Sequence, residues 1–288
     1  MPYKLLALDL DGTVLDAQLQ LAPEVATAIA AAQARGVYVT IATGRMFGST
    51  IQFARQLNID GPLICFQGAL IRDSRDGAIS YHVPTPADLA AEAIELLHAA
   101  GLFVLAYIDE RLWVAEQRAE LDLYLGWHPE QPEVVLAPNL ADTIARGASA
   151  GLLGAPAGDT RRFRAGPPTK LMFVAEPALA ERETARLALH FAGRLAVMRS
   201  HAMFGELTAP GVSKGAALAQ LAAHMGIARE DVIAIGDHEN DLPMIAWAGL
   251  GLAMGNAIPQ AQSIADAVIP SVDACGVAWA IEHYILKG

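Results

Sequence analysis

Leu5-Leu6-Ala7-Leu8-Asp9-Leu10-Asp11-Gly12-Thr13 is the stretch on which the reading of this chain turns. Four apolar residues in a row are the pattern of a strand buried on both faces of a parallel sheet. The run stops at a carboxylate, and the chain turns at Gly12. Open α/β sheets place ligands beyond the carboxyl ends of their strands, so acidic residues at such an end are candidates for chemistry. Asp9 and Asp11, two apart, can point the same way and share one cation. Asp9 ends the strand and can act as a nucleophile; Asp11, on the outgoing turn, can act as a general acid and then a general base. Gly12 lets the backbone approach a phosphate closely. Taken alone, the segment is equally readable as an ordinary acidic turn in which Thr13 satisfies nearby backbone groups.

Outward from this strand the pattern repeats. Residues 23–35 read as a helix, with Pro23 in the first turn and Gly36 just past the end, and 37–42 read as a second buried strand. A helix over 47–57 and a strand over 62–66, turning at Gly68, follow. The rhythm resumes late, with a helix over 214–225, a strand over 232–235, a helix over 241–247 and a strand over 251–254. Residues 266–269 and an amphipathic helix over 277–286 close the chain. This is an α/β fold with a Rossmann-like, doubly wound parallel sheet. Between the halves the rhythm changes to a capped helix from Thr85-Pro86-Ala87-Asp88, a hairpin over 103–108 and 112–115, and a Gly-, Pro- and Arg-rich loop over 155–168. Strands over 170–175 and 195–200 then bracket a helix over 178–191. The expected organisation is a core of residues 1–83 and 209–288, with 84–208 inserted as an α+β cap domain.

Three further segments can carry chemistry. Ile41-Ala42-Thr43-Gly44-Arg45 offers a hydroxyl and flexible amides where a helix is expected to start, so Thr43 and Gly44 can bind phosphate oxygens, and Thr43 can equally be a helix cap. Arg45 either touches substrate or lies on the helix surface. Lys214 opens a helix where the dipole disfavours a cation, a cost that a nearby anion would offset. Gly236-Asp237-His238-Glu239-Asn240-Asp241 is a second acidic turn beyond a buried strand. Asp237 and Asp241 are candidate metal residues there, with helix capping as the alternative.

Bulk properties exclude other classes. The 288 residues suffice for two packed units, and 53% hydrophobic against 18% charged residues place the chain among ordered globular proteins. A net charge of −11 argues against nucleic acid or an anionic membrane as partner, although a small phosphorylated metabolite can still meet local cations and amides. Two cysteines, Cys65 and Cys275, make no disulfide framework, and no apolar run is long enough for a membrane span. A cytoplasmic protein is expected. His82, His98, His128, His190, His201, His224 and His283 lack ligand spacing, and Lys170 and the group Arg161, Arg162 and Arg164 either meet a substrate or are solvated, the second being the reading favoured. Oligomeric state is not legible.

Together, and in this order, Asp9-Leu10-Asp11-Gly12-Thr13, Thr43, Lys214 and Gly236-Asp237 with Asn240-Asp241 resemble the haloacid dehalogenase superfamily of phosphatases. Gly211-Val212-Ser213-Lys214-Gly215 and Ala253-Met254-Gly255-Asn256-Ala257, with the long insert, resemble its Cof-type subfamily. The resemblance implies a magnesium-dependent phosphatase of small phosphate monoesters. In it Asp9 attacks phosphorus, Asp11 handles protons, and Thr43 and Lys214 hold the phosphoryl group. Mg2+ would be held by the Asp9 carboxylate, the Asp11 backbone carbonyl and Asp237, with Asp241 in support and Asn240 near the phosphate. It also implies that selectivity lies in the cap and at Gln67 or Arg45. Where the subfamily usually has Asn, this chain has Gln67. The competing readings are a phosphomutase, a non-catalytic sugar-phosphate binding protein and a receiver domain. The length and the insert speak against the last.

Overall fold

The structure is a computed structural model and describes residues 3–126, 132–155, 159 and 161–287. It divides into two compact units, one of residues 1–81 and 212–288, the other of residues 82–211. The sequence reading put the boundaries at 84 and 208.

The first unit is built on a five-stranded parallel sheet in the order Ala267–Val268, Leu250–Ala253, Val232–Gly236, Leu5–Leu8, Tyr38–Ile41. Strand Leu5–Leu8 lies inside the sheet and is fully buried. Leu5 and Ala7 join Val232 and Ala234 in a cluster with Ala217, Leu218, Leu221 and Ala222 of helix Lys214–His224. The alternate residues Leu6, Leu8, Ile233 and Ile235 are buried on the other face, which is why these strands read as unbroken apolar runs rather than alternating ones. Helix Pro23–Ala34 packs against helix Gly276–Ile281. Pro23 opens it at the first turn, and Gly36, at φ +81°, follows its end, a left-handed conformation that costs glycine little. A parallel bridge from Ala42 to Ile64 attaches a second, three-stranded sheet of Pro62–Cys65, Leu70–Asp73 and Ile79–His82. Neither of its last two strands carries an apolar run, because Leu70–Asp73 ends in Arg72 and Asp73 and Ile79–His82 is mostly exposed.

The second unit is an eight-stranded sheet ordered Arg162–Arg164, Ser149–Leu152, Val134–Leu136, Arg111–Val114, Phe103–Ile108, Lys170–Val174, Phe204–Thr208, Ala196–His201. Its pairs are antiparallel except for Arg111–Val114 with Val134–Leu136. Every second residue of the inner strands, Val104, Ala106, Ile108, Leu171 and Phe173, packs with Ile94 and Leu97 of helix Ala87–Ala99 and Leu187 of helix Pro177–His190. The structure corrects the expected loop over 155–168, since Arg162–Arg164 is an edge strand. Its sequence alternates exposed Arg with half-buried Phe163, over whose ring Arg111 lies at 4.1 Å. One apolar residue is too little for a pattern to show. Lys170 is also not solvated. It is buried, with Nζ donating to Glu206 at 3.0 Å, and Glu206 also accepts from Ser200 at 2.6 Å. Among the described residues no helix is long and apolar enough to cross a membrane.

Candidate active site

The site lies at the carboxyl ends of the central strands of the first unit. The Asp9 amide donates to Ile235 O at 3.0 Å, so the ladder between strands Leu5–Leu8 and Val232–Gly236 runs to its last rung where the two acidic turns begin. Asp9 and Asp237 leave adjacent strands side by side. Gly12 has φ +85°, and a Cβ there would lie 2.6 Å from Asp237 Oδ2. Conformation and space thus both require glycine. Thr13 Oγ1 donates to Asp237 Oδ1 at 3.3 Å. Asn256 pins the same turn, since its Nδ2 donates to Gly12 O at 2.8 Å while its Oδ1 accepts from the Val272 amide at 2.9 Å. Asn256 was legible only as part of the subfamily-like segment, because nothing local points from it to Gly12.

Lys214 supplies the cation. Ser213 caps its helix by accepting from the Ala216 amide at 3.1 Å. The Lys214 side chain is fully buried, and Nζ donates to Asp9 Oδ1 at 2.5 Å and Asp241 Oδ1 at 2.6 Å. These are the anions that its position at a helix start calls for. Asp241 Oδ2 accepts from the amides of Asp237 and His238, both at 3.0 Å. The turn therefore folds around the Asp241 carboxylate, and both of its oxygens are engaged. Helix Leu242–Trp247 begins just beyond, after a 3-10 turn over Glu239–Asp241.

Asp9, Asp237 and Asp241 each bring one oxygen within 4.8 Å of the others. Burial first, and the negative charge of Asp241 second, push the Asp9 pKa well above the carboxylate range, although Lys214 pulls it down. The same two causes push Asp237 up to about 7. Burial works against the charge of Lys214, but Asp241 and Asp9 outweigh it and hold its pKa above the ordinary value. Three carboxylates against one ammonium leave two negative charges when all are ionised. A trio of hard oxygen donors with that deficit fits a divalent cation such as Mg2+. The Asp11 carboxylate is not in the trio. It is half exposed and receives a guanidinium fork, Arg45 Nε to Oδ2 at 2.8 Å and Nη2 to Oδ1 at 2.6 Å.

The turn after strand Tyr38–Ile41 corrects one expectation. Thr43 does not start a helix, because helix Phe47–Gln56 begins four residues on. Buried Thr43 is held by its amide to Ile64 O at 2.9 Å and by its carbonyl, which accepts from the Gln67 amide at 3.0 Å. Its Oγ1 accepts from the Arg45 amide at 3.2 Å. Arg45 is not on the helix surface either, since its side chain is only 9% exposed. Gln67 is fully buried at φ +61°, and its Oε1 accepts from Asn240 Nδ2 at 3.0 Å. A Cβ on Gly44 would come within 2.3 Å of Gln67 Nε2, so Gly44 is also the residue that lets Gln67 in. Phe66 and Gln67 are both left-handed, a conformation that their residue types do not advertise. Among the described residues no histidine joins a group able to hold a metal. His128 lies outside the described residues.

The family model of haloacid dehalogenase-like hydrolases matches residues 6–281. The HMP-PP phosphatase of Serratia proteamaculans is 28% identical, over 98% of this chain and 94% of its own length. The 5-amino-6-(5-phospho-D-ribitylamino)uracil phosphatase YitU of Bacillus subtilis is 26% identical, over 98% and 97%. A solved haloacid dehalogenase-like hydrolase from Bacteroides thetaiotaomicron superposes with a TM-score of 0.77 at 25% identity, covering 97% of this chain and 98% of that one.

Proposed function

The chain belongs to the haloacid dehalogenase-like hydrolases and is a phosphoric monoester hydrolase; from that premise we propose that it works with magnesium, through a phospho-aspartate on Asp9. The observation that carries this reading is the buried ammonium of Lys214 between Asp9 and Asp241, with Asp237 completing the acidic trio.

In the first half of the proposed reaction an Asp9 oxygen attacks phosphorus. The bond from phosphorus to the ester oxygen breaks, and that oxygen takes the proton of the Asp11 carboxyl. In the second half a water gives its proton to Asp11 and attacks phosphorus. The bond to Asp9 then breaks, releasing inorganic phosphate and the free carboxylate. Lys214 holds the Asp9 carboxylate in place and sets a positive charge beside the transferring group, while Thr43, Gly44 and Asn240 face the phosphate oxygens. Mg2+ would be held by the Asp9 and Asp237 carboxylates and the Asp11 carbonyl, and would neutralise charge on the phosphoryl oxygens. Asp241, occupied by Lys214 and two amides, orients the others. The relatives named for their substrates act on small phosphorylated metabolites, and we assign this chain the same class of substrate. Phosphate release from a panel of sugar, nucleotide and cofactor phosphates, with magnesium or with chelator, tests the reading. No release from any ester, by well-folded protein with magnesium, would overturn it.

Proton and cation should compete at this site. Without metal, folded Asp237 titrates at about 7, whereas in the unfolded chain an aspartate titrates at about 4. Between those values the folded protein binds more protons than the unfolded one, so this group's contribution to stability falls as pH rises through the window. A bound dication would remove that loss. Millimolar magnesium should therefore raise the thermal midpoint by several degrees more at about pH 7.5 than at about pH 5.5. An equal shift at both pH values would place the bound cation elsewhere.

A further inference from the structure

Arg45 stands out because its partner is not a phosphate-facing group but the half-exposed carboxylate of Asp11. The two carboxylate oxygens receive separate donors, Nε at 2.8 Å and Nη2 at 2.6 Å, which is the planar two-point geometry that fixes a carboxylate's orientation as well as its place. The guanidinium itself has little freedom. It is 9% exposed and lies 5.3 Å over the Phe53 ring. Its main chain is tied on both sides of the Cα, the amide donating to Thr43 Oγ1 at 3.2 Å and the carbonyl accepting from the Phe66 amide at 2.9 Å. One turn, Thr43-Gly44-Arg45, thus sets the hydroxyl assigned to phosphate and the fork assigned to Asp11. An exposed carboxylate on a loop would otherwise sample several rotamers, and a donor fixed in the core selects one.

Building on the phosphatase reading, we infer that Arg45 is a positioning residue that acts through Asp11, holding it in register for both proton transfers, and that it does not bind the substrate. The inference separates Arg45 from Thr43 and Lys214, which meet the phosphoryl group directly. It also makes a kinetic distinction. Loss of Arg45 should slow turnover while leaving the Michaelis constant nearly unchanged, because the displaced group moves protons rather than holding ester. With p-nitrophenyl phosphate, whose leaving group needs no proton, phosphorylation of Asp9 should proceed and water attack should lag. Phospho-enzyme should then accumulate.

The test is a kinetic cycle of wild type, Arg45→Met, Asp11→Asn and the double variant, with p-nitrophenyl phosphate and glycerol phosphate as probes, and Arg45→Lys as the variant that keeps charge but not the fork. Arg45→Met should lower kcat for glycerol phosphate about a hundredfold, and Arg45→Lys about tenfold, with the Michaelis constant changed less than about threefold. In the Asp11→Asn background the same Met substitution should cost less than about threefold, because the group through which Arg45 acts is gone. Additive losses, or a Michaelis constant that rises with kcat unchanged, would overturn the inference in favour of a substrate contact. Thermal midpoints of all variants report folding, and Arg45→Lys carries the test if Arg45→Met does not fold. Wild-type inactivity on both probes would instead count against the phosphatase reading itself, so the two failures are distinguishable.

Discussion

Asp9→Asn should abolish phosphate release and leave the thermal midpoint unchanged or higher. The carboxamide matches the carboxylate in shape, so packing around this 4% exposed residue is preserved. What changes is charge. Asp9 lies beside Asp237 and Asp241, and burial and that crowding already push its pKa up. Neutralising it relieves repulsion. Lys214 loses one acceptor of full charge but keeps Asp241 at 2.6 Å, so no buried ammonium is left unpaired. An amide is no nucleophile toward phosphorus, and the loss of turnover should exceed about a thousandfold. Phosphate release and thermal denaturation on the same preparations check both halves. Near-normal release by folded Asp9→Asn would rule out the phospho-aspartate.

Lys214→Met should be the reverse case, costing activity and fold together. The side chain is fully buried, and Met fills nearly the same volume without the charge. Removing the ammonium leaves the carboxylates of Asp9 and Asp241 facing each other in the core with neither a cation nor its hydrogen bonds. Removing one partner of a buried ion pair costs about 3–5 kcal/mol. Because protons can replace the missing charge on Asp9 and Asp237, the deficit should shrink in acid, where these raised groups are protonated. Urea denaturation at neutral and mildly acidic pH measures it. A loss below about 1 kcal/mol at neutral pH would mean that Lys214 does not offset the carboxylate repulsion.

How much of this could be read from residues alone follows the distance over which each signal acts. The core strands were legible because burial on both faces writes an unbroken apolar run into four or five consecutive residues, and the acids at their ends inherit a position from the strand. Lys214 was legible as a cation in a costly place, and the structure supplies the two anions. The object of Arg45 was not legible, since Asp11 lies on a separate turn and no pattern links them. Asn256 reaches Gly12 from near the other end of the chain. The left-handed Phe66 and Gln67 are imposed by the pocket around them rather than by their own propensities. In the second unit the edge strand Arg162–Arg164 and the buried Lys170–Glu206 pair escaped for the same reason, because pairing partners, not local composition, make them what they are.

The pairing of Leu5–Leu8 with both Tyr38–Ile41 and Val232–Gly236 has a consequence for how the chain comes into being. Strand Leu5–Leu8 precedes the whole second unit in the chain, and one of its two neighbours, Val232–Gly236, follows it. Until the second unit and the segment beyond it have emerged, that strand has one open edge, and Asp9 has neither Lys214 nor Asp237 beside it. Such a sheet has a high contact order, which favours slow closure through a populated intermediate. The half-made core carries an aspartate without its cation, so the buried Asp9–Lys214 pair forms only with that long-range contact.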